Sequence, residues 1–172
     1  MNSKKEYSIP FTGLKLGIHT FKYQVGAPFF EKLDYSEVKK SNVSVTVNFN
    51  KQNAILILDF EIKGTVNVMC DRCADYFDLS VENQQQLIAK LAAHESVQED
   101  DIIYLSPTES ELDIGHYIYE YIMLAIPQKR IHPEGMCNKE TLKRLEKLTR
   151  TTKELNKITD PRWDELKKIK FN

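Results

Sequence analysis

Apolar and polar residues alternate from Gly17 to Val25, which places Ile18, Phe21 or Tyr23, and Val25 on the inner side of a half-buried strand. Ala27 to Leu33, opened by Pro28 and carrying Phe29 and Phe30, predicts a short helix. Val43, Val45, Val47 and Phe49 alternate cleanly, Lys51-Gln52-Asn53 makes a turn, and Ala54 to Ile62 returns as a second strand. The two together predict a hairpin. Thr65 to Met69 continues the β pattern, and Tyr76 to Leu91 resumes it, either as one long strand or as a strand running into a helix. An acidic stretch from His94 to Asp101 reads as a loop, followed by a short strand, Ile102 to Leu105, that Ser106-Pro107 ends.

Helical signals dominate the rest. Asp113 is the predicted N-cap of a helix through Gly115 to Ala125, with Ile118, Tyr121, Ile122 and Ala125 at helical spacing and Pro127 as its stop. A second helix is expected from about Asn138. Thr151-x-x-Glu154 matches a capping box, so a break and restart are predicted there. Asp160-Pro161 opens a last short helix with Trp163, Leu166 and Ile169 on one face. The fold class is therefore α+β: a mainly antiparallel β body with short helices over residues 1–137, and a basic helical C-terminal extension over 138–172.

Composition narrows the function classes. With 172 residues, 41% hydrophobic and 28% charged, the chain has the make-up of a globular protein with one real core. No apolar run reaches the ~20 residues of a membrane-spanning helix. The polar stretch Met1 to Pro10 lacks the apolar region of a signal peptide, so a cytoplasmic location is expected. Three cysteines do not make a disulfide framework. The net charge of −1 hides an asymmetry: residues 1–128 hold 11 Lys and Arg against 18 Asp and Glu, residues 129–172 hold 13 against 7. A basic tail on an acidic body points to nucleic acid as a partner, or simply to a solvated tail.

The densest chemistry is Cys70-Asp71-Arg72-Cys73. Two residues between cysteines let a tight knuckle aim both thiolates at one tetrahedral zinc, but one pair is half a site. The remaining candidates are Cys137 and His132, five residues apart, which would complete a closed, structural Cys₃His centre. The plain alternative is two reduced, partly buried cysteines at a turn. A thioredoxin-like redox pair would need a helix N-terminus, and the neighbours Asp71, Asp75 and Asp78 are expected to raise a thiol pKa. Glu95, Glu99, Asp100 and Asp101 show no EF-hand spacing and read as a solvated loop. His19 and His116 stand beside no nucleophile and read as structural. The six glycines form neither a dinucleotide fingerprint nor a phosphate loop. Lys139, Lys143, Lys147 and Arg150 fall on one helical face, opposite Leu142, Leu145 and Leu148. That face is either a phosphate-binding stripe or a solvated surface paired internally through Glu140–Arg144 and Glu146–Arg150.

The ordered set of motifs resembles a known family. Gly64-x5-Cys70-Asp71-Arg72-Cys73-x2-Tyr76-Phe77 is similar to the hallmark of the YceD proteins, described as needed for accumulation of large-subunit ribosomal RNA. Glu111 to Ile114, Glu120 to Pro127 and then His132-x4-Cys137 resemble a second block of that family, and Asp160-Pro161-Arg162-Trp163-x2-Leu166 its closing segment. Phe11-x-Gly13-Leu14-x2-Gly17 and Phe29-Phe30 fit as well.

The resemblance implies a bacterial-type cytoplasmic factor without known enzymatic activity, often encoded beside a large-subunit ribosomal protein. It strengthens zinc as the cofactor of Cys70, Cys73, His132 and Cys137. The expected partners are large-subunit precursor rRNA, a large-subunit ribosomal protein, or both, with Arg72, Lys139, Lys143, Lys147 and Arg150 as contact residues; neither a membrane nor a small-molecule substrate is expected. The alternative is an enzyme, either a thiol oxidoreductase at Cys70 and Cys73 or an RNA-processing nuclease using the acidic loop.

Overall fold

A computed structural model describes residues 6–33, 35–91, 102–106 and 108–155, with side chains up to residue 149 in the last stretch. The described chain divides into two compact units. Unit 1 takes residues 1–69 and 76–130, and unit 2 takes residues 70–75 and 131–172.

Unit 1 is built on a five-stranded sheet. Its strands are β2 (Gly17–Gly26), β3 (Ser41–Lys51), β4 (Ile55–Met69), β5 (Tyr76–Leu91) and β6 (Ile102–Leu105), and their spatial order follows the chain. The first three pairings are antiparallel, and β6 alone runs parallel to its neighbour β5. A small ribbon pairs β1 (Ser8–Ile9) with β7 (Leu112–Asp113). Two short helices complete the unit, α1 (Ala27–Glu31) and α2 (Gly115–Leu124). The region Tyr76–Leu91 is thus strand throughout.

Period-two patterning decides which face is buried. In register, Val45 sits opposite Ile62, Val47 opposite Phe60 and Phe49 opposite Leu58, all essentially inaccessible to solvent. Leu87 and Ala89 extend this apolar face across β5. Ile9, Phe11, Phe30, Ile114, Ile118 and Ile122 join the same core from the ribbon, loops and helices. The opposite face is polar and cross-linked by side chains. Gln86 donates to Asp59 at 2.7 Å, Asn67 to Asp78 at 2.7 Å, and Lys63 pairs with Glu82 at 2.9 Å.

Gly64 allows this hairpin to close. It lies opposite Val43, and a Cβ built there would stand 2.2 Å from the Asn42 carbonyl oxygen. Only glycine tolerates so close a backbone approach. Lys51, at the end of β3, does more than form a turn: its Nζ donates to the carbonyls of Phe11 at 2.7 Å and Leu14 at 2.9 Å, anchoring that loop.

Three local expectations are corrected. Ile18 is 73% exposed, because the buried side of β2 is the parity of Phe21, Tyr23 and Val25 and Ile18 has the other. Asp113 belongs to β7, and Ile114 is the N-cap residue of α2. The Asp113 carboxylate still accepts from the Gly115 N–H at 2.9 Å, so it satisfies a first-turn donor from one residue further back. The predicted break at Thr151 does not occur: α3 runs unbroken over Lys139–Leu155. A capping box acts where N–H groups lack intrahelical partners, and inside a continuous helix those donors are already used. The predicted helix from Asp160 and the acidic stretch from Glu95 to Asp101 lie outside the described residues.

Candidate metal centre

Unit 2 starts from the six-residue loop that connects β4 to β5. The Cys70 N–H donates to the Asp75 carbonyl at 2.9 Å, and the Ala74 N–H to the Cys70 carbonyl at 2.9 Å. Ala74 has a φ of 63°, the left-handed region that a tight knuckle requires after its second cysteine. These bonds fold Cys70 and Cys73 so that both thiols turn inward and are buried.

The second pair of ligands comes from the loop after residue 130. Gly135, at φ 82°, and a turn closed by the Met136 N–H on the Pro133 carbonyl at 3.1 Å bring His132 and Cys137 round to the knuckle. One candidate ligand atom from each of Cys70, Cys73, His132 and Cys137 lies within 4.8 Å of all the others. Cys70 Sγ is 4.0 Å from Cys137 Sγ, and Cys73 Sγ is 3.4 Å from His132 Nδ1.

Those distances suit one small tetrahedral ion. Bonds of ~2.3 Å to sulfur and ~2.0 Å to nitrogen separate ligands by ~3.8 Å (S to S) and ~3.6 Å (S to N). They do not suit a disulfide, whose sulfurs are ~2.05 Å apart, and all three cysteines are free thiols. The cluster can therefore hold a metal ion. Three sulfurs and an imidazole nitrogen are a zinc-type donor set, and four protein ligands leave no open position for chemistry.

The thiols are tuned unequally. Burial pushes Cys70 up, but the backbone N–H groups of His132, Arg72 and Cys73, with the His132 side chain, outweigh it and bring the thiol down to about 6. The expectation that acidic neighbours would raise this thiol is thus corrected: donors aimed at the sulfur decide its charge. Burial, reinforced by hydrogen bonding and repulsion from Cys70 and Cys73, pushes Cys137 up to about 11. A cation placed among the three sulfurs relieves that repulsion and displaces their protons.

Burial separates this unit from an ordinary small domain. Among its described residues, the fully buried ones are Cys70, Cys73 and Cys137, and His132 is half-buried. The clustered side chains are the buried centre of the described part of the unit.

The cluster also governs where α3 begins. Asn138, next to ligand Cys137, is the cap: its Oδ1 accepts from the N–H groups of Glu140 at 3.0 Å and Thr141 at 3.3 Å. Its Nδ2 donates to Asp75 Oδ2 at 3.1 Å, so the same side chain ties the helix start to the knuckle. An asparagine immediately before a run of helix formers was the available sequence signal. The left-handed Ala74 left none.

Of the predicted contact residues, Arg72 is exposed between the two cysteines, and Lys139, Lys143 and Lys147 are exposed on α3 at steps of one turn, ~6 Å along the axis. The side chain of Arg150 lies outside the described residues. Leu145 and Leu148, on the other face, are 40% and 66% exposed. His19 Nε2 lies 2.8 Å from the Lys15 carbonyl oxygen, and His116 pairs with Glu120 at 2.9 Å. No helix among the described residues is long and apolar enough to cross a membrane.

The family model described as "Large ribosomal RNA subunit accumulation protein YceD" matches residues 58–170. No curated protein and no solved structure matches the chain. The matched stretch covers well over half of the chain and contains all four clustered ligands, and the chain belongs to this family.

Proposed function

We propose that this YceD-family chain supports large-subunit ribosomal RNA accumulation without catalysis, as a zinc-ordered protein whose unit 2 meets precursor rRNA in the cytoplasm. The observation that carries the reading is the continuity from ligand to helix: Cys137 closes the metal cluster, Asn138 caps α3, and Lys139, Lys143 and Lys147 follow on one exposed face. The zinc held by Cys70, Cys73, His132 and Cys137 fixes the start of that helix, so metal binding and presentation of the basic stripe are coupled. Arg72, exposed at the knuckle, adds a planar guanidinium suited to phosphate, and Arg150 extends the stripe.

A binding role also fits the chemistry of the cluster. Four protein ligands saturate the ion, so it offers no site for a water nucleophile. The depressed Cys70 thiol serves the metal better than it serves redox exchange, because the pair sits in a turn between two strands rather than at a helix N-terminus.

The test is fluorescence anisotropy with fragments of large-subunit rRNA over a range of salt. Lys143→Glu with Lys147→Glu is expected to weaken binding and to flatten the salt dependence by a log–log slope of ~0.7–0.9 for each phosphate no longer neutralised. Affinity and slope equal to those of the parent chain would remove the RNA-binding part of the proposal.

A further inference from the structure

Unit 1 carries a cleft that neither the metal cluster nor the basic helix accounts for. Four aromatic side chains wall it, Tyr7, Phe29, Tyr35 and Tyr119. Tyr7 and Phe29 form its buried part, and Tyr35 is 63% exposed. The rings stand in two edge-to-face pairs, Tyr7 on Phe29 with centroids 5.0 Å apart and Tyr35 on Tyr119 at 5.3 Å. Tyr7 also packs on Tyr23, and Phe29 and Tyr119 on Phe30, so the exposed Tyr35 ring, paired with Tyr119 alone, presents the π face most open to a third group.

The polar lining shows what that group is. A lysine and a histidine reach the cleft, and each is already matched: Lys32 Nζ is 3.3 Å from Glu6, and His116 Nε2 is 2.9 Å from Glu120. Asp113 lies in the lining itself and adds a third carboxylate to Glu6 and Glu120, which stand outside it. Carboxylates therefore outnumber cations even with His116 protonated. Aromatic walls also stack nucleobases, but an attached phosphate would meet the Asp113 carboxylate, whereas an ammonium or guanidinium gains from both the rings and that carboxylate. Size sets the scale of the occupant. The cleft holds about 260 Å³, below the ~300–1,000 Å³ of sites that enclose a drug-sized molecule, and suits a single long side chain.

We propose that this cleft is the docking site for a lysine or arginine side chain presented by a basic protein partner, with Tyr35 and Tyr119 supplying cation–π contact and Asp113 the opposing charge. The inference is independent of RNA binding by unit 2, and either can fail without the other. In this arrangement the acidic unit engages a cationic protein.

The test uses the full chain with labelled tyrosines, titrated with Nα-acetyl-arginine amide and followed by NMR, with Nα-acetyl-norleucine amide and adenosine monophosphate as parallel probes. The arginine derivative is expected to shift Tyr35 and Tyr119 saturably, with the other two binding about tenfold more weakly or worse. Tyr35→Phe keeps the π face and is expected to bind within about twofold of the parent, and Tyr35→Leu, which keeps apolar contact alone, about three- to tenfold more weakly. Because Tyr35 is mostly exposed, neither change is expected to disturb folding, which the unfolding midpoint of each variant checks. Equal binding of norleucine amide would make the cleft a plain apolar groove, and tighter binding of adenosine monophosphate a base-stacking site. Either result, the absence of any saturable shift, or equal affinity in the Phe and Leu variants would overturn the proposal.

Discussion

The two units reach order by different physical routes. Unit 1 closes a five-stranded sheet over a continuous apolar cluster running from Tyr7 to Ile122, and its charged groups stay on the outer face. In unit 2 the three cysteines are the fully buried residues among those described, and its longest element, α3, keeps Leu145 and Leu148 in solvent. Hydrophobic burial at ~25 cal/mol per Å² is ample for the first and scarce in the described part of the second. Small units of that kind are commonly held by a staple, and a metal ion at the four convergent side chains would supply one. The electrostatic signs differ too. Unit 1 carries 12 Lys and Arg against 16 Asp and Glu, and unit 2 carries 12 against 9. An acidic core-stabilised unit and a basic one with a candidate metal cluster are suited to partners of opposite charge.

Loss of a metal from unit 2 is the perturbation with the largest expected effect. Structural zinc contributes an apparent ~10–16 kcal/mol to the folding of small metal-dependent units. Cys73→Ser is therefore expected to lower zinc content from about one ion per chain to none, and to abolish amide-exchange protection at the start of α3. The strands of unit 1 are expected to keep their protection in the same experiment. Equal loss of protection in β3 and β4 would contradict independent stabilisation.

The reverse experiment targets the apolar core. Phe60 is 1% exposed and faces Val47 across the hairpin. Phe60→Ala is expected to cost about 3–5 kcal/mol by denaturant unfolding of unit 1, with zinc content unchanged. A smaller effect sharpens the link between the metal and the helix. Asn138→Ala removes the cap of α3 and the bond to Asp75, and is expected to cost ~1 kcal/mol of helix stability with the ion retained. The smallest change is a gain. Ala74→Gly relieves the left-handed backbone at the knuckle, and is expected to stabilise unit 2 by ~0.5–1 kcal/mol, read as slower zinc transfer to a chelator.

What was legible in the sequence follows from the same physics. The β3–β4 hairpin is written in the alternation of Val43 to Phe49 and Leu56 to Ile62, because a sheet buried on one face imposes a strict period of two. Ile18 misled because an edge strand tolerates an apolar residue on its solvated side, which periodicity alone does not reveal. The β1–β7 ribbon is two residues long on each side, too short to leave a pattern. The four clustered residues were legible as candidates because the chain holds three cysteines, and the spacing of the first two lets both thiols face one ion. The aromatic cleft was not: Tyr7, Phe29, Tyr35 and Tyr119 have no common period and meet only through the fold.

In the proposed organisation, unit 2 is built around one zinc held by three thiolates and the Nδ1 atom of His132. Zinc K-edge absorption spectroscopy of the full chain, purified without added metal, tests it most directly. One zinc per chain is expected, with three sulfur neighbours at ~2.3 Å and one nitrogen at ~2.0–2.1 Å. A chain that carries no zinc, or one whose zinc has two sulfur neighbours and bound water, would contradict it.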